Sequence, residues 1–295
     1  MREWSSAWLL LVLTGGLLGL QLPFGRVAAA AGVPAISWAF LISSGAAIAL
    51  SPAAVASGAW RWPDRQRLRF FAITAVMSYA LPNLILFSVI PKTGAGYAGL
   101  MLTLSPVCTL LIAAALRLKQ PSPLGVSGIG AGFAGALLVA ASRGGLGEPA
   151  ALGWIGLALL IPLSLAASNV YRTVDWPEDA GPLELAVGSH AVSAMLLAAL
   201  AALLTEGLHI GAFLAVPALA VLQVATASAM FALFFRLQQV VGPVYLSQIG
   251  YVAAAVGLAF GMLVFGEHYP WFAWCGAALI VAGVAMTTIA QRNTR

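Results

Sequence analysis

Hydrophobic positions in this chain fall in long unbroken runs, separated by short clusters of charge, glycine and proline. A helix needs about 20 apolar residues to cross a bilayer core about 30 Å thick. On that scale the pattern predicts spans at roughly 6–28, 34–56, 69–91, 95–117, 123–142, 151–173, 183–205, 211–236, 242–265 and 270–290. Connections are short, the longest being the basic stretch from Arg61 to Arg69 and the acidic stretch from Asp175 to Glu184. No extramembrane domain fits between the runs.

Composition agrees. Of 295 residues, 61% are hydrophobic and 8% charged, with a mean hydropathy of +0.97. Soluble domains carry roughly a quarter of their residues as charges, so an ordinary soluble enzyme is excluded. An even number of crossings puts both termini on one side. Of the 14 Lys and Arg, Arg2, Arg61, Arg65, Arg67, Arg69, Arg117, Lys119, Arg172, Arg236, Arg292 and Arg295 fall on that side, against Arg26, Lys92 and Arg143 on the other. This asymmetry predicts cytoplasmic termini and explains the net charge of +5 without a nucleic-acid partner. The first 30 residues have the outline of a secretory signal. The apolar run continues past Pro23, however, and has a partner later in the chain, so the sequence predicts a retained first span.

That partner belongs to an internal repeat. A shift of 148 pairs Phe87 with Phe235, Gly94 with Gly242, Tyr97 with Tyr245, Leu110 with Leu258, Gly128 with Gly276 and Gly135 with Gly283. A shift of 146 pairs Trp8 with Trp154 and Arg26 with Arg172. Each half then holds five spans, and because five is odd the second half crosses in the opposite sense, the inverted plan of secondary transporters. The expected fold is an all-α polytopic membrane protein: ten transmembrane helices as two inverted five-helix repeats, 1–145 and 146–295, around a central cavity.

Two stretches carry a family resemblance: Gly94-Ala95-Gly96-Tyr97 leading into Ser105-Pro106, and Phe265-Gly266-Glu267-His268 followed by the run from Gly276 to Gly283. Over essentially the whole chain the sequence resembles the EamA-type branch of the drug/metabolite transporter superfamily, and within it the bacterial exporters of aromatic and related amino acids. Two positions depart from the pattern. Lys119 stands where the first repeat usually carries the acidic residue that Glu267 supplies in the second, and Ala254 stands where a copy of Pro106 would be. The resemblance implies an inner-membrane carrier with spans 1, 3, 4, 6, 8 and 9 around the cavity.

Ionisable groups at bilayer depth are functional by default, and here the centre is nearly empty. Arg26, Arg117, Arg172, Glu184 and Arg236 lie near span ends, where long side chains are expected to snorkel to the interface. Arg26 and Arg172, matched by the repeat, are candidate gating residues at opposite mouths. His190 lies deeper and is the one candidate for proton coupling, although the plainer reading is a neutral histidine bonded between helices. Cys108 and Cys275 are isolated thiols, so neither a metal nor another cofactor is expected.

Neutral polar residues three or four apart share a helix face. The pairs are Tyr79 and Asn83, Tyr97 and Met101, Ser164 and Ser168, Gln223 and Thr226, and Tyr245 and Gln248, with Gln21 and Asn169 on related spans. Gln21, Tyr79, Asn83, Tyr97, Met101, Ser164, Ser168, Asn169, Gln223, Tyr245 and Gln248 are therefore the candidate substrate-binding set. For each the alternative is a bridge between neighbouring helices. Pro23, Pro82, Pro106 and Pro162 lie inside spans and would free the carbonyls of Gly19, Ser78, Leu102 and Ala158. Such a chamber is expected to be uncharged. Gly128, Gly130, Gly132, Gly276 and Gly283 read as small-residue helix contacts.

Together these features predict no enzyme but a multi-pass carrier in a bacterial inner membrane. It exports small neutral metabolites, aromatic and other apolar amino acids foremost, by alternating access and facilitated diffusion. No phosphate-binding loop is present, so ATP is not an expected partner; the partners are the substrate and the lipid bilayer. The alternatives are a proton-coupled metabolite or drug antiporter, a membrane scaffold, and an intramembrane serine protease using Ser127 of Gly125-Val126-Ser127-Gly128 with His190 as base.

Overall fold

A computed structural model describes residues 2–58, 61–118, 122–142, 152–204, 207–265 and 270–293, and among them every regular element is helical. The elements are α1 (Arg2–Ala30), α2 (Ala35–Ala56), α3 (Arg65–Thr74), a π-helical segment (Ala75–Ala80), α4 (Leu81–Thr103), α5 (Ser105–Ala115), α6 (Pro123–Ser142), α7 (Leu152–Val174), α8 (Pro182–Leu204), a 3-10 segment (Ile210–Ala215), α9 (Pro217–Val240), α10 (Pro243–Leu246), α11 (Ile249–Phe265) and α12 (Trp271–Asn293). Local chemistry sets several ends. Asp64 caps α3 by accepting the Arg67 backbone N–H at 2.8 Å. Proline opens α6, α8, α9 and α10, where a first-turn N–H would have no intrahelical partner. After α1, Gly32 takes φ +82° and the Val33 N–H turns back to the Ala28 carbonyl.

Among the described residues six helices are long and apolar enough to cross a membrane: Ala7–Ala30, Ala35–Ala56, Arg65–Lys92, Gly156–Val174, Pro182–Leu204 and Pro217–Val240. Shorter apolar helices, Met101–Ala115, Pro243–Val256 and Trp274–Ala290, occupy stretches where further spans are predicted. Ile48, Met195, Val221, Leu263 and Val281 are largely exposed, an apolar exterior that suits lipid. The chain is a multi-pass helical membrane protein.

A Cβ at Gly25 of α1 would collide with the Phe87 ring. Farther back along α1, Gly15 and Gly19 face Val252 and Ala253 of α11, and Gly250 of α11 faces the Leu102 carbonyl.

Contacts also fix helix directions. The hydroxyls of Ser43 (α2) and Ser193 (α8) are 3.0 Å apart, and the His209 N–H beyond α8 donates to Ser37 near the start of α2; these helices run antiparallel. So do α6 and α12, where Gly128 meets Gly283 and Gly135 meets Gly276. A Cβ at Gly128 would lie 2.8 Å from the Gly283 carbonyl oxygen. Gly130, expected at a helix contact, has open space around it and is exposed; successive helix positions turn by about 100°, which carries it off the face shared by Gly128, Gly132 and Gly135.

Candidate functional site

Between these helices lies a half-enclosed cavity, with about 80 Å³ of space open to the centre of a water molecule. Six stretches build it: Leu18 and Gln21 from α1; Ser78, Tyr79, Pro82, Asn83 and Leu86 from the π segment and α4; Leu102 and Ser105 at the α4–α5 break; Ile161, Leu165, Asn169 and Arg172 from α7; Met230, Phe231 and Phe234 from α9; and Ser247, Ile249 and Gly250 at the α10–α11 break. Both breaks therefore face the cavity. Irregular backbone at membrane depth is tolerated in such a place, buried in protein or against a wet space.

The π segment shapes one wall. In a π helix each N–H donates to the carbonyl five residues back, as the Leu81 N–H does to Val76. The next donor in that register would be residue 82, a proline without an N–H. The carbonyl left over is Met77, and Ser164 Oγ of α7 donates to it at 2.7 Å. Sequence reasoning assigned the freed carbonyl to Ser78, because it assumed α-helical register. At the α4–α5 break, a Cβ at Gly250 would sit 2.6 Å from the Leu102 carbonyl oxygen, so only glycine admits the backbone of α11 there.

Arg172 is the main departure from expectation. It does not snorkel: it is 1% exposed and forms part of the cavity wall. Its Nε donates to Gln238 Oε1 at 3.2 Å, Nη1 to Ser168 Oγ at 2.8 Å and to Ser78 Oγ, and Nη2 to Asn169 Oδ1 at 2.6 Å. The guanidinium carbon stands 4.8 Å from the centroid of Phe234. Every partner is neutral. A guanidinium stays protonated in proteins, so the chamber carries a fixed positive charge, which corrects the expectation of an uncharged interior. The residues crowding this wall face into a polar pocket, and that removes the need to reach the interface.

A second cluster is aromatic. Tyr79 stacks on His190 with ring centroids 3.9 Å apart, and Phe231 closes on both at 5.1 Å and 4.0 Å. The Tyr79 hydroxyl and both His190 nitrogens are buried with no hydrogen-bond partner among the described residues. Among the described residues no carboxylate bonds to His190, so the acid a proton relay would want is not supplied there. Ser127, the nucleophile of the protease alternative, is exposed on α6 while His190 lies inside this aromatic cluster.

The remaining candidates divide. Gln21, Tyr79, Asn83 and Asn169 line the cavity. Gln223 donates to Gln21 at 3.1 Å just behind the wall, and Ser168 stands behind Arg172. Met101 is buried in the main core rather than in the lining. Tyr245 and Gln248 turn to α12 instead, bonding Thr288 at 3.0 Å and Thr287 at 2.6 Å. Arg26 is exposed, unlike its repeat partner Arg172. The Tyr97 side chain lies outside the described residues, as do Lys119, Glu267 and His268.

Sequence reasoning missed Ser78, Phe231, Phe234 and Gln238; the spacing of Phe231 and Phe234 on one face was the available signal. It also missed an ion-pair cluster joining α3, α7 and α8. Glu184, 1% exposed, accepts from Arg67 Nε at 2.9 Å, and Arg67 also reaches Asp64 at 2.7 Å. Arg69 pairs with Asp175 at 2.5 Å, and the Tyr171 hydroxyl donates to the same carboxylate at 2.6 Å. These contacts tie the start of α3 to α8 and to the end of α7.

No curated protein matches the chain. A solved structure titled only "Crystal structure of protein" is similar at 21% identity, covering 98% of this chain and 99% of that one, with a TM-score of 0.71. At that identity the likeness speaks to the fold alone. Residues 6–141 match the EamA-like transporter family.

Proposed function

We propose that this chain is a carrier for small metabolites with an apolar or aromatic body, amino acids foremost, working by alternating access and exporting across a bacterial inner membrane with both termini cytoplasmic. The observation that carries the reading is the cavity itself, lined from six helical stretches of both halves and combining an aromatic wall with a polar one. The family match over residues 6–141 supports a transporter. The inverted repeat is supported by packing: α2 and α8 hold corresponding places in the two halves, as do α6 and α12, and each pair runs antiparallel. Two halves of opposite sense can exchange conformations and so open the cavity to one face at a time.

The test is counterflow in proteoliposomes with labelled phenylalanine, tyrosine, tryptophan and leucine, with and without a pH gradient. Exchange of at least one of these above protein-free vesicles is expected, with no need for the gradient. Flux that requires it would replace facilitated diffusion by proton coupling. Asn83→Ala should cut flux while the protein still purifies as a folded species, because the half-buried Asn83 lines the cavity. Ser127→Ala should transport normally, an outcome that a serine protease nucleophile would not allow.

A further inference from the structure

We infer that the cavity binds its cargo by a carboxylate set against Arg172 and prefers a net monoanion, an arylalkyl or similarly apolar monocarboxylate, over the zwitterion of the same skeleton. The inference rests on the carrier reading above and narrows its substrate class.

Three observations converge. First, the Arg172 guanidinium has five N–H donors. Four meet Gln238, Ser78, Ser168 and Asn169, all neutral, and one Nη2 hydrogen is left over. A buried cation without a counter-ion is costly, so an anion is the partner this pocket lacks. Second, the Tyr79 hydroxyl, on a side chain 2% exposed in the same wall, has no partner. The spare guanidinium hydrogen and the phenol O–H provide two donors for the two oxygens of a carboxylate. Third, no Asp or Glu is among the lining residues. The ammonium of a zwitterion would find no anion and would share the chamber with a guanidinium. The rest of the wall, Phe231, Phe234, Met230 and Leu86, suits an apolar or aromatic body.

The charge also supplies a driving force. Arg172 belongs to the protein, so a bound monoanion that crosses moves one net charge. The interior-negative potential of a cell then expels it, tenfold in concentration for about every 60 mV. Export needs no coupled ion. A zwitterion would gain nothing from the potential.

Three probes share one ring and a two-carbon link from it to the charged group: 3-phenylpropionate, L-phenylalanine and 2-phenylethylamine, carrying respectively a carboxylate, both groups, and an ammonium. Equilibrium binding to the purified full chain in detergent at pH 8, and efflux from proteoliposomes corrected for protein-free vesicles, should both rank the carboxylate first by tenfold or more and leave the amine at background. An imposed interior-negative potential should speed 3-phenylpropionate efflux and leave phenylalanine efflux unchanged. Arg172→Gln, which removes the charge and keeps an amide at the Nε position facing Gln238, should remove the preference, and Tyr79→Phe should weaken carboxylate binding several-fold in a protein that keeps its stacked ring. Phenylalanine moving as well as or better than 3-phenylpropionate overturns the inference and leaves the carrier reading standing. No movement or binding of any probe overturns both. Unchanged ranking in both variants also overturns it. Should Arg172→Gln fail to fold, the native ranking, the potential response and Tyr79→Phe still decide.

Discussion

Ser164 Oγ donates at 2.7 Å to the carbonyl oxygen of Met77, one helix away. The bond exists because Pro82 cannot supply the donor that the π register of Ala75–Ala80 calls for. It also pins α7 to the π segment, next to Ser78 and Tyr79 in the cavity wall. Ser164→Ala leaves that carbonyl without a partner, and the expected cost is about 1–3 kcal/mol. Thermal unfolding in detergent should show a lowered midpoint, whereas Ser164→Thr, which keeps a hydroxyl, should recover most of it. An alanine variant as stable as the parent would mean that the Met77 carbonyl is satisfied in another way.

The α6–α12 contact is set by backbone meeting backbone. A side chain at Gly283 would lie 2.5 Å from the Gly128 carbonyl oxygen and 2.6 Å from the Gly132 nitrogen, groups that cannot swing aside. Gly283→Ala must therefore push the helices apart, at about 1–3 kcal/mol for such overpacking, or more because the obstacle is main chain. Gly130→Ala on the same pair of helices points into open space and should leave the unfolding midpoint where it was. If both alanine variants behave alike, close packing is not what the glycines of α6 and α12 provide.

Much of this architecture is legible in the apolar runs, because a bilayer imposes one length on every crossing segment. Gly128, Gly276 and Gly283 are likewise readable, since a small residue recurring on one face has few uses other than close approach. What a single sequence does not disclose is which neighbour a face meets. Tyr245 and Gln248 share a face, as their spacing says, yet that face looks at Thr287 and Thr288 of α12 and not at the cavity. Arg172 and Glu184 both sit near span ends, where snorkelling is the usual outcome. Their burial depends on Ser78 and Gln238 in one case and Arg67 in the other, residues 66 to 117 positions away in the chain. The π register at Ala75–Ala80 also escaped notice, since local propensity carries no signal for it, and with it went the identity of the freed carbonyl.

His190 offers a test of ion coupling. Its ring is held by stacking on Tyr79 and Phe231, and neither nitrogen has a polar partner. Phenylalanine keeps an aromatic face of similar size at that place. His190→Phe should therefore retain flux within about twofold, with the same insensitivity to an imposed pH gradient, given that the stacking contributes on the order of 0.5–1.5 kcal/mol beyond area burial. Loss of transport in a folded His190→Phe protein would restore the histidine to a proton-coupling role.

Arg67 and Glu184 hold α3 and α8 together. The pair is 2.9 Å apart, with side chains 8% and 1% exposed, and it joins α3 to α8 just below the level where Phe71 packs over Gly188. Glu184 also has one carboxylate oxygen with no partner in its burial, so the pair is not an optimised one. Removing one member of a buried pair leaves the other uncompensated and costs about 3–5 kcal/mol, whereas replacing both can be close to neutral. Glu184→Ala should therefore lower the unfolding midpoint sharply. Asp64 remains on Arg67 Nη1 at 2.7 Å, which holds the loss toward the lower end of that range, and Glu184→Gln, which keeps an acceptor oxygen for Nε, should cost less than the alanine. The double variant Arg67→Met with Glu184→Leu should be more stable than Glu184→Ala. Thermal unfolding of the four proteins in one detergent checks the order, and a double variant no better than Glu184→Ala would mean that α3 and α8 are held by packing at Gly188 and not by charge.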